Sequence, residues 1–269
     1  MIIIFAVIWI FAALYVLSVR GRTGHTGLKD LHGWYYAHRG LHGAQIPENS
    51  IAAFRAALEH GYGIELDVHL LADGELAVIH DSLLKRTTGA DGRIEDLTAG
   101  QLDNYFLEGT TEQIPLLRQV LELYDGKAPL IVELKPYGDN YAELCRRTVS
   151  LLDGYQGVYC LESFDPRCLL WLKKHCPDLI RGQLTENYFL TKNSPLPFIL
   201  KFLLTHQIGN FLTMPDFVAY RCSDRHAFSN TIARKVWKIH GVTWTLKDQT
   251  DFDLAVREGW IPIFEGFEP

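Results

Sequence analysis

The sequence has few cysteines, and none of them stands in a C-x-x-C pair. The five lie at positions 145, 160, 168, 176 and 222. An odd number at irregular spacing argues against a disulfide framework, and the missing C-x-x-C pairs argue against a cysteine-based zinc site. We therefore expect reduced, largely buried thiols in a reducing compartment.

The chain also lacks a block of basic residues. Its formal net charge is -6, and acidic and basic residues are interspersed along its 269 residues. Nucleic-acid-binding domains concentrate Lys and Arg on one surface, so this composition argues against a nucleic-acid partner. Hydrophobic residues make up 48% of the chain, which is enough for a large core and argues against intrinsic disorder.

No charged residue occurs in the first eighteen positions, Met1–Ser18. A helix of that length spans roughly 27 Å, close to the hydrocarbon core of a bilayer. A cleaved signal peptide fits less well, because a basic start and an A-x-A site are both missing. Uninterrupted apolarity on every face argues against a buried helix of a water-soluble domain. We therefore expect a transmembrane helix at the N-terminus.

Positive charges at Arg20, Arg22 and Lys29 follow this segment. Such charges mark the cytoplasmic side of a membrane helix, so a single-pass membrane protein with its main domain in the cytoplasm is predicted. The next residues are polar and rich in glycine. The predicted organisation is an anchor over 1–19, a linker over 20–33 and one large domain over 34–269.

Strand-like and helix-like segments alternate from residue 34 to the end of the chain. Eight strands with helices between them predict parallel pairing and right-handed crossovers. Eight such units in roughly 235 residues match an α/β fold of the TIM (β/α)₈ barrel type. The lack of a G-x-G-x-x-G turn after the first strand argues against a doubly wound sheet. The predicted strands are Trp34–His38, Gly63–Val68, Leu130–Leu134, Val158–Glu162, Leu179–Leu184, Asn210–Met214, Val242–Leu246 and Ile261–Glu265, with a short extra segment at Ala77–His80.

Three carboxylates lie on two of these strands, where barrel active sites are built. Side chains alternate along a strand, so Glu65 and Asp67 share one face, and Glu133 shares a face with Lys135. Unpaired carboxylates brought this close repel one another. A hard divalent cation with oxygen ligands, such as Ca²⁺ or Mg²⁺, removes that repulsion. Ion pairing with Arg39 and Lys135 is the alternative.

Two histidines and two cations accompany the carboxylates. His38 and Arg39 end the first strand, and His80 follows the short apolar segment. Two histidines that titrate near neutral pH can supply one general base and one general acid. Arg39 and Lys135 can bind an anion, and a phosphate beside a metal cation is the substrate group that this set favours.

Short motifs in a fixed order give the chain a family resemblance. They are AHRG, PENS, DGELAVIHD, RTTG, IPLLRQVLELY and VELK. Together they resemble the glycerophosphodiester phosphodiesterase family over roughly the whole predicted domain. The resemblance implies a TIM barrel that hydrolyses glycerophosphodiesters to glycerol 3-phosphate and an alcohol. It also implies attack by the glycerol 2-hydroxyl to give a cyclic phosphate, which water then opens.

The resemblance also implies roles for single residues. It makes His38 and His80 the acid–base pair. It gives Glu65, Asp67 and Glu133 one divalent cation, Ca²⁺ or Mg²⁺. The residues expected to contact substrate are Arg39, Lys135, Trp244 and Glu265.

Two positions depart from the usual family pattern. Glu162 precedes Ser163-Phe164 where the family more often has an amide, and Glu265 ends the last strand in place of a more usual motif. These departures affect the choice of substrate more than the reaction. A lysophospholipase D acting on lysophospholipids is one alternative. A non-catalytic protein that binds glycerophosphodiesters or lipid headgroups is another, and the intact set of histidines and carboxylates argues against it.

Overall fold

Nine strands form one sheet in the computed structural model, which describes residues 1–192 and 195–269. Eight of them are parallel, and the remaining one, β3, pairs antiparallel with β2 as a short hairpin. The strands are β1 Tyr36–His38, β2 Gly63–Leu70, β3 Leu76–Val78, β4 Leu130–Leu134, β5 Tyr159–Ser163, β6 Arg181–Thr185, β7 Phe217–Arg221, β8 His240–Leu246 and β9 Trp260–Phe264.

The parallel strands close into a barrel. Strand order runs β1-β9-β8-β7-β6-β5-β4-β2, and β1 pairs with β2 to complete the circle. Glycine at position 182 permits close packing inside, since a Cβ there would lie 2.0 Å from the Phe217 ring. The α/β TIM-barrel prediction is confirmed.

Helices cover the outside of the barrel, and polar caps fix where several of them begin. The Ser50 hydroxyl accepts a hydrogen bond from the Ala53 amide, and the Asp165 carboxylate accepts one from Arg167. The helices are α1 Ile2–Ser18, α2 Ile51–Glu59, α3 Lys85–Thr88, α4 Leu117–Tyr124, α5 Tyr141–Leu152, α6 Pro166–His175, α7 Phe198–Thr205, α8 Asn210–Thr213, α9 Phe228–Lys235 and α10 Gln249–Arg257.

The alternation along β2 decides what the barrel places inside. Ile64, Leu66 and Val68 are fully buried and belong to the apolar layer between sheet and helices. Glu65 and Asp67 occupy the opposite face, because strand side chains alternate. The fold therefore directs carboxylates into the barrel.

The sixth predicted strand, Asn210–Met214, was placed wrongly. Residues Asn210–Thr213 form the short helix α8, and the strand lies at Phe217–Arg221. Both segments are short apolar runs, which periodicity alone cannot tell apart. Phe211 and Leu212 are half exposed, whereas Phe217 and its neighbours on β7 are buried.

The predicted transmembrane helix is contradicted. Helix α1 has 17 residues, about 26 Å at 1.5 Å per residue. In 1–192 and 195–269, the structure has no helix that combines the length and the apolar character needed to cross a membrane. The single-pass membrane localisation and the membrane anchoring through this helix, both derived from it, are therefore not supported.

The end of α1 is tied to the barrel domain. Trp237 Nε1 donates a hydrogen bond to the Val16 carbonyl at 2.6 Å, and the Tyr15 ring stacks on Phe228 with centroids 6.1 Å apart. Val19, directly after the helix, is fully buried. These contacts pack the last turn of the helix against the barrel domain.

The predicted linker 20–33 is packed against the barrel. Leu28 and Leu31 are each 1% exposed and join the apolar cluster inside the barrel. The Tyr36 hydroxyl donates to the Leu31 carbonyl at 2.9 Å. This segment therefore contributes to the core.

An ion pair holds the same segment in place. Arg22 donates to the fully buried Asp216 through Nε at 2.5 Å and through a terminal nitrogen at 2.6 Å. The Arg181 amide donates to the same carboxylate at 2.9 Å. Three donors converge on one buried side chain, and removing it leaves Arg22 Nε and the Arg181 amide without this acceptor.

We predict that Asp216→Ala lowers the free energy of unfolding by about 3 kcal/mol, because one partner of a buried ion pair is lost. Urea unfolding followed by circular dichroism measures the change. Asp91→Ala is the control, since that side chain is 92% exposed and surface pairs contribute about 0–1 kcal/mol. Equal stability of both variants would contradict the assigned role of Asp216.

Candidate active site

The turn after β1 presents His38 and Arg39 at the carboxyl end of the barrel. Arg39 has a φ of 56°, a left-handed conformation that is uncommon for a residue other than glycine. Gly40 follows with a φ of 81°, and a Cβ there would lie 2.8 Å from Ala53. Glycine is therefore required at position 40, and the turn is held closely against α2.

The three predicted metal ligands lie together. One oxygen from each of Glu65, Asp67 and Glu133 falls within 4.8 Å of the other two. The side chains are 3%, 1% and 6% exposed. Pairing of β2 with β4 places Asp67 directly beside Glu133, so the parallel sheet itself creates the cluster.

Two cations and an amide surround Asp67. Lys135 Nζ lies 3.1 Å from Asp67 Oδ1 and 2.9 Å from Glu133 Oε1. Arg39 Nε lies 3.4 Å from Asp67 Oδ2, and Asn49 Nδ2 donates to that same oxygen at 2.9 Å. The ion pairs considered from the sequence are thus present, and they concentrate on one carboxylate of the three.

The three carboxylates have different pKa values because the neighbouring positive charges compensate them unequally. Burial alone raises the pKa of Asp67, but Lys135, His80 and Arg39 outweigh it and hold that pKa well below its usual range. Burial, together with the charges of Asp67 and Glu133, raises the pKa of Glu65 well above its usual range. Without a further cation, part of the cluster therefore retains protons near neutral pH.

The pKa of Glu133 is raised, as is that of Glu65. Burial raises its pKa to about 7, and the Lys135 ammonium only partly offsets this. A fourth carboxylate, Glu162, pairs in register with Glu133. Burial and the charges of Glu133 and Asp67 raise the pKa of Glu162, and among the described residues its Oε2 has no hydrogen-bond partner.

This donor set fits a hard divalent cation. Buried carboxylate oxygens are the ligands that Ca²⁺ and Mg²⁺ prefer, and more acids than bases converge here. The raised pKa values of Glu65 and Glu133 are the expected signature of a carboxylate cluster without its counter-ion. Ca²⁺ and Mg²⁺ share this chemistry, so the residues do not distinguish them.

Each of the two histidines is held by a carboxylate. His38 Nδ1 lies 2.8 Å from Glu265 Oε2, and His80 Nδ1 lies 2.6 Å from Asp81 Oδ1. His38 Nε2 faces the acidic cluster, 3.9 Å from Glu65 Oε2. Burial lowers the pKa of His38 and of His80, despite the opposing effects of Glu265 and Asp67. Both rings are therefore neutral near pH 7.

The charges around Arg39 form a second network. Arg39 donates to Glu48 Oε1 at 2.9 Å, and Arg86 donates to both oxygens of Glu48 at 2.9 and 2.6 Å. Arg86 also pairs with Asp81, the partner of His80. These side-chain contacts connect the turn that carries His38 and Arg39 with the segment that carries His80.

Aromatic side chains line the far side of the site. Trp244 and Phe164 meet edge to face with ring centroids 5.6 Å apart. Together with His38, His80 and Glu162 they border a small cavity of about 40 Å³ inside the barrel mouth. Trp244 Nε1 is buried and, in the described chain, has no hydrogen-bond partner, so it is available to a polar group in the cavity.

Most of the predicted site residues therefore meet at one end of the barrel. Glu265 differs from expectation in its contacts, because its carboxylate holds His38 and also lies 3.4 Å from Lys247 Nζ. The sequence analysis assigned no site role to Asn49, Asp81 or Arg86. The adjacency of Asp81 to His80, and the PENS and RTTG motifs, were the signals that could have indicated them.

Comparisons with known proteins identify a family and a fold. The model of the Glycerophosphoryl diester phosphodiesterase family matches residues 38–264. The chain is 42% identical over 107 residues to a glycerophosphodiester phosphodiesterase of Bacillus altitudinis. This alignment covers 37% of this chain and 43% of that protein. The chain is 35% identical over 160 residues to a glycerophosphodiester phosphodiesterase of Caldanaerobacter subterraneus subsp. tengcongensis, covering 56% of this chain and 65% of that protein.

A solved structure matches over a longer range. A phosphodiesterase of Oleispira antarctica, in complex with the product sn-glycerol-3-phosphate, superposes with a TM-score of 0.71 at 24% identity. The superposition covers 91% of this chain and 95% of that one. At this identity the likeness supports the fold. The two curated relatives above are matched over about half to two thirds of their length.

We predict that the protein loses stability above pH 6.5 when EDTA removes divalent cations. The folded-state pKa of Glu133 is raised to about 7, so its stabilising contribution is complete below its unfolded pKa near 4.3 and is lost as pH rises through 7. The loss between pH 6.5 and 8 is about 1 kcal/mol. Thermal or urea unfolding at the two pH values measures it.

Glu133→Gln is the control for this pH dependence, because the amide keeps the shape and cannot ionise. Its stability in EDTA falls less over the same interval than that of the wild type. Wild-type stability that rises from pH 6.5 to 8, or a variant with an unchanged pH dependence, would rule out an uncompensated carboxylate cluster.

Proposed function

This chain belongs to the glycerophosphoryl diester phosphodiesterase family, and we propose that it hydrolyses glycerophosphodiesters to glycerol 3-phosphate and an alcohol. One observation carries the proposal. Three buried carboxylates lie within 4.8 Å of one another at the end of the barrel where two carboxylate-held histidines also lie. The positively charged side chains of Arg39 and Lys135, which can bind a phosphate, flank this group.

Glu65, Asp67 and Glu133 would hold the divalent cation. When bound, such an ion neutralises charge that develops on a phosphate and on an attacking oxygen. The chain's own part is to keep these carboxylates together in a buried site. Asn49 supports this by fixing Asp67 with a hydrogen bond of 2.9 Å.

The histidines are suited to proton transfer. In each ring Nδ1 is engaged by a carboxylate, Glu265 or Asp81, so the neutral ring carries its proton there and leaves Nε2 free to accept one. One histidine takes the proton of the glycerol 2-hydroxyl as its oxygen attacks phosphorus. The other must first take up a proton at Nε2; in that imidazolium form it gives the proton to the alcohol oxygen as the P–O bond breaks, and water then opens the cyclic phosphate.

Arg39 and Lys135 would bind the phosphate. Arg39 Nε is buried and, among the described residues, has no hydrogen-bond partner within normal geometry. A guanidinium with a free N–H matches a phosphate oxygen well. Lys135, 15% exposed, adds a second positive charge beside the carboxylates. The pair would offset the charge that the substrate brings into the barrel.

Trp244 and Glu265 would act at the edges of the substrate site. Trp244 and Phe164 offer an apolar wall against which a glycerol backbone can pack. Glu265 was expected to contact substrate, but its 2.8 Å contact with His38 supports a positioning role. The His38 hydrogen bond lowers the pKa of Glu265 to about 2, so this acceptor is ionised near neutral pH.

A lysophospholipase D activity is a second candidate, and one surface favours it. The segment that follows β6 leaves the barrel at its active-site end. In this segment Phe189 and Phe198 meet with centroids 5.6 Å apart and are 44% and 73% exposed. Leu190 and Ile199 extend the apolar surface. Exposed apolar patches often mark binding sites, and an acyl chain fits this one.

We predict release of glycerol 3-phosphate from glycerophosphocholine in the presence of Ca²⁺ or Mg²⁺, and none with EDTA. His38→Ala lowers kcat by about 10²–10⁴-fold, since a group that transfers a proton is lost. His226→Ala is the matched control, because that side chain is 66% exposed. Lysophosphatidylcholine assayed in parallel separates the two candidate substrates.

Full activity of His38→Ala would refute the acid–base assignment. No release from either substrate by protein that binds Ca²⁺ or Mg²⁺ would instead favour a binding protein. Equal activity with EDTA would show that the carboxylates do not need a cation for the reaction.

A further inference from the structure

A second group of metal-binding side chains lies beside the first. One ligand atom from each of His38, His42 and Glu265 falls within 4.8 Å of the other two. His42 stands in the turn between β1 and α2, and Glu265 directly follows β9. The group therefore shares His38 with the proposed active site and contains none of the three clustered carboxylates.

The donor set differs in kind from that of the carboxylate cluster. Two imidazoles and one carboxylate are a ligand set typical of Zn²⁺. Hard cations such as Ca²⁺ and Mg²⁺ prefer oxygen ligands alone. The two groups are thus chemically selective for different ions, although they meet at one histidine.

In the described part of the chain, the contacts of the His42 side chain do not explain why a histidine stands at this position. Its Nε2 is buried, and among the described residues it has no hydrogen-bond partner. A buried polar atom without a partner is costly and calls for an explanation. A metal bond to a ring nitrogen would supply one.

The backbone holds His42 in place. Its amide donates to the Gly40 carbonyl at 3.0 Å, and Gly43 and Ile46 exchange hydrogen bonds of 2.9 and 3.1 Å in the same turn. A metal ligand must keep a fixed position relative to its partners. This turn is closed by its own hydrogen bonds, so His42 meets that requirement before an ion binds.

An entry path leads to the group. His42 and Glu265 line a surface cleft of about 390 Å³, together with Gly40, Phe264 and His60. A water molecule can complete a tetrahedral set there. Lys247 Nζ lies 3.4 Å from Glu265 Oε1 and is 67% exposed, so it can leave for solvent when an ion replaces its charge.

We propose that His38, His42 and Glu265 form an inhibitory site for Zn²⁺. The regulatory part rests on the proposed function, since it requires His38 to transfer a proton. His38 Nδ1 now holds Glu265, and Zn²⁺ takes that nitrogen. The imidazole then carries its proton on Nε2 and has no lone pair to accept another. Zn²⁺ therefore stops proton transfer at His38 while the carboxylate cluster keeps its own cation.

The first test measures Zn²⁺ binding directly. The protein is saturated with Mg²⁺, and Zn²⁺ is titrated in competition with a chromophoric chelator. Wild type is expected to bind one Zn²⁺ that His42→Ala binds at least tenfold more weakly. His60→Ala is the matched control, because His60 lines the same cleft but belongs to neither group; it binds as wild type does.

The second test measures inhibition. With Mg²⁺ in excess, the Zn²⁺ concentration that halves the rate is expected to rise at least tenfold in His42→Ala. The uninhibited rate stays unchanged, and a zinc-selective chelator restores the wild-type rate. His42→Gln serves the same purpose if the alanine variant unfolds at a lower temperature.

The outcomes separate the two proposals. Equal Zn²⁺ affinity of wild type and His42→Ala overturns the site, as does inhibition that is unchanged in the variant, because Zn²⁺ then acts at the carboxylates. Weakened Zn²⁺ binding in a protein that hydrolyses neither substrate keeps the site and removes the proposed function. Weakened binding and weakened inhibition together support both.

Discussion

Mutual repulsion among Glu65, Asp67 and Glu133 is the constraint on which the rest of the site depends. Parallel pairing of β2 and β4 forces these side chains together inside the barrel, where little water screens them. Lys135 and Arg39 compensate Asp67 but leave Glu65 and Glu133 with raised pKa values. A bound divalent cation would complete the compensation, and Lys135 and Arg39, which now pair with Asp67, would then be available to an anionic substrate.

The fold brings the histidines to this cluster from two different strands. His38 reaches it from β1 and is held by Glu265 from the end of β9; His80 follows β3 and is held by Asp81. Because both supporting carboxylates are ionised acceptors, each ring keeps one tautomer. Because Glu265 holds His38, the proposed Zn²⁺ site would act on the proposed reaction through this contact.

The alternation of side chains along a strand was sufficient to predict the site residues that lie on strands. Glu65, Asp67 and Glu133 could be placed because a two-residue period and a strand end suffice to aim them. The contact between His38 and Glu265 joins residues 227 positions apart, and only barrel closure between β1 and β9 creates it. The strand at Phe217–Arg221 was misplaced because two short apolar runs stand close together. The N-terminal membrane helix was predicted from the length and apolarity of the uncharged segment, whereas the contacts of its last turn with Phe228 and Trp237 cannot be seen in the sequence.

Cation binding coupled to proton release tests the central constraint most directly. Isothermal titration of EDTA-treated, dialysed protein with Ca²⁺ or Mg²⁺ at pH 7, in two buffers of different ionisation enthalpy, counts the protons released. Ligands that hold protons must lose them to bind a metal, so about one proton per ion is expected, with less in Glu133→Gln. Binding without proton release, or no binding to either ion, would contradict a cluster of protonated carboxylates that a divalent cation completes.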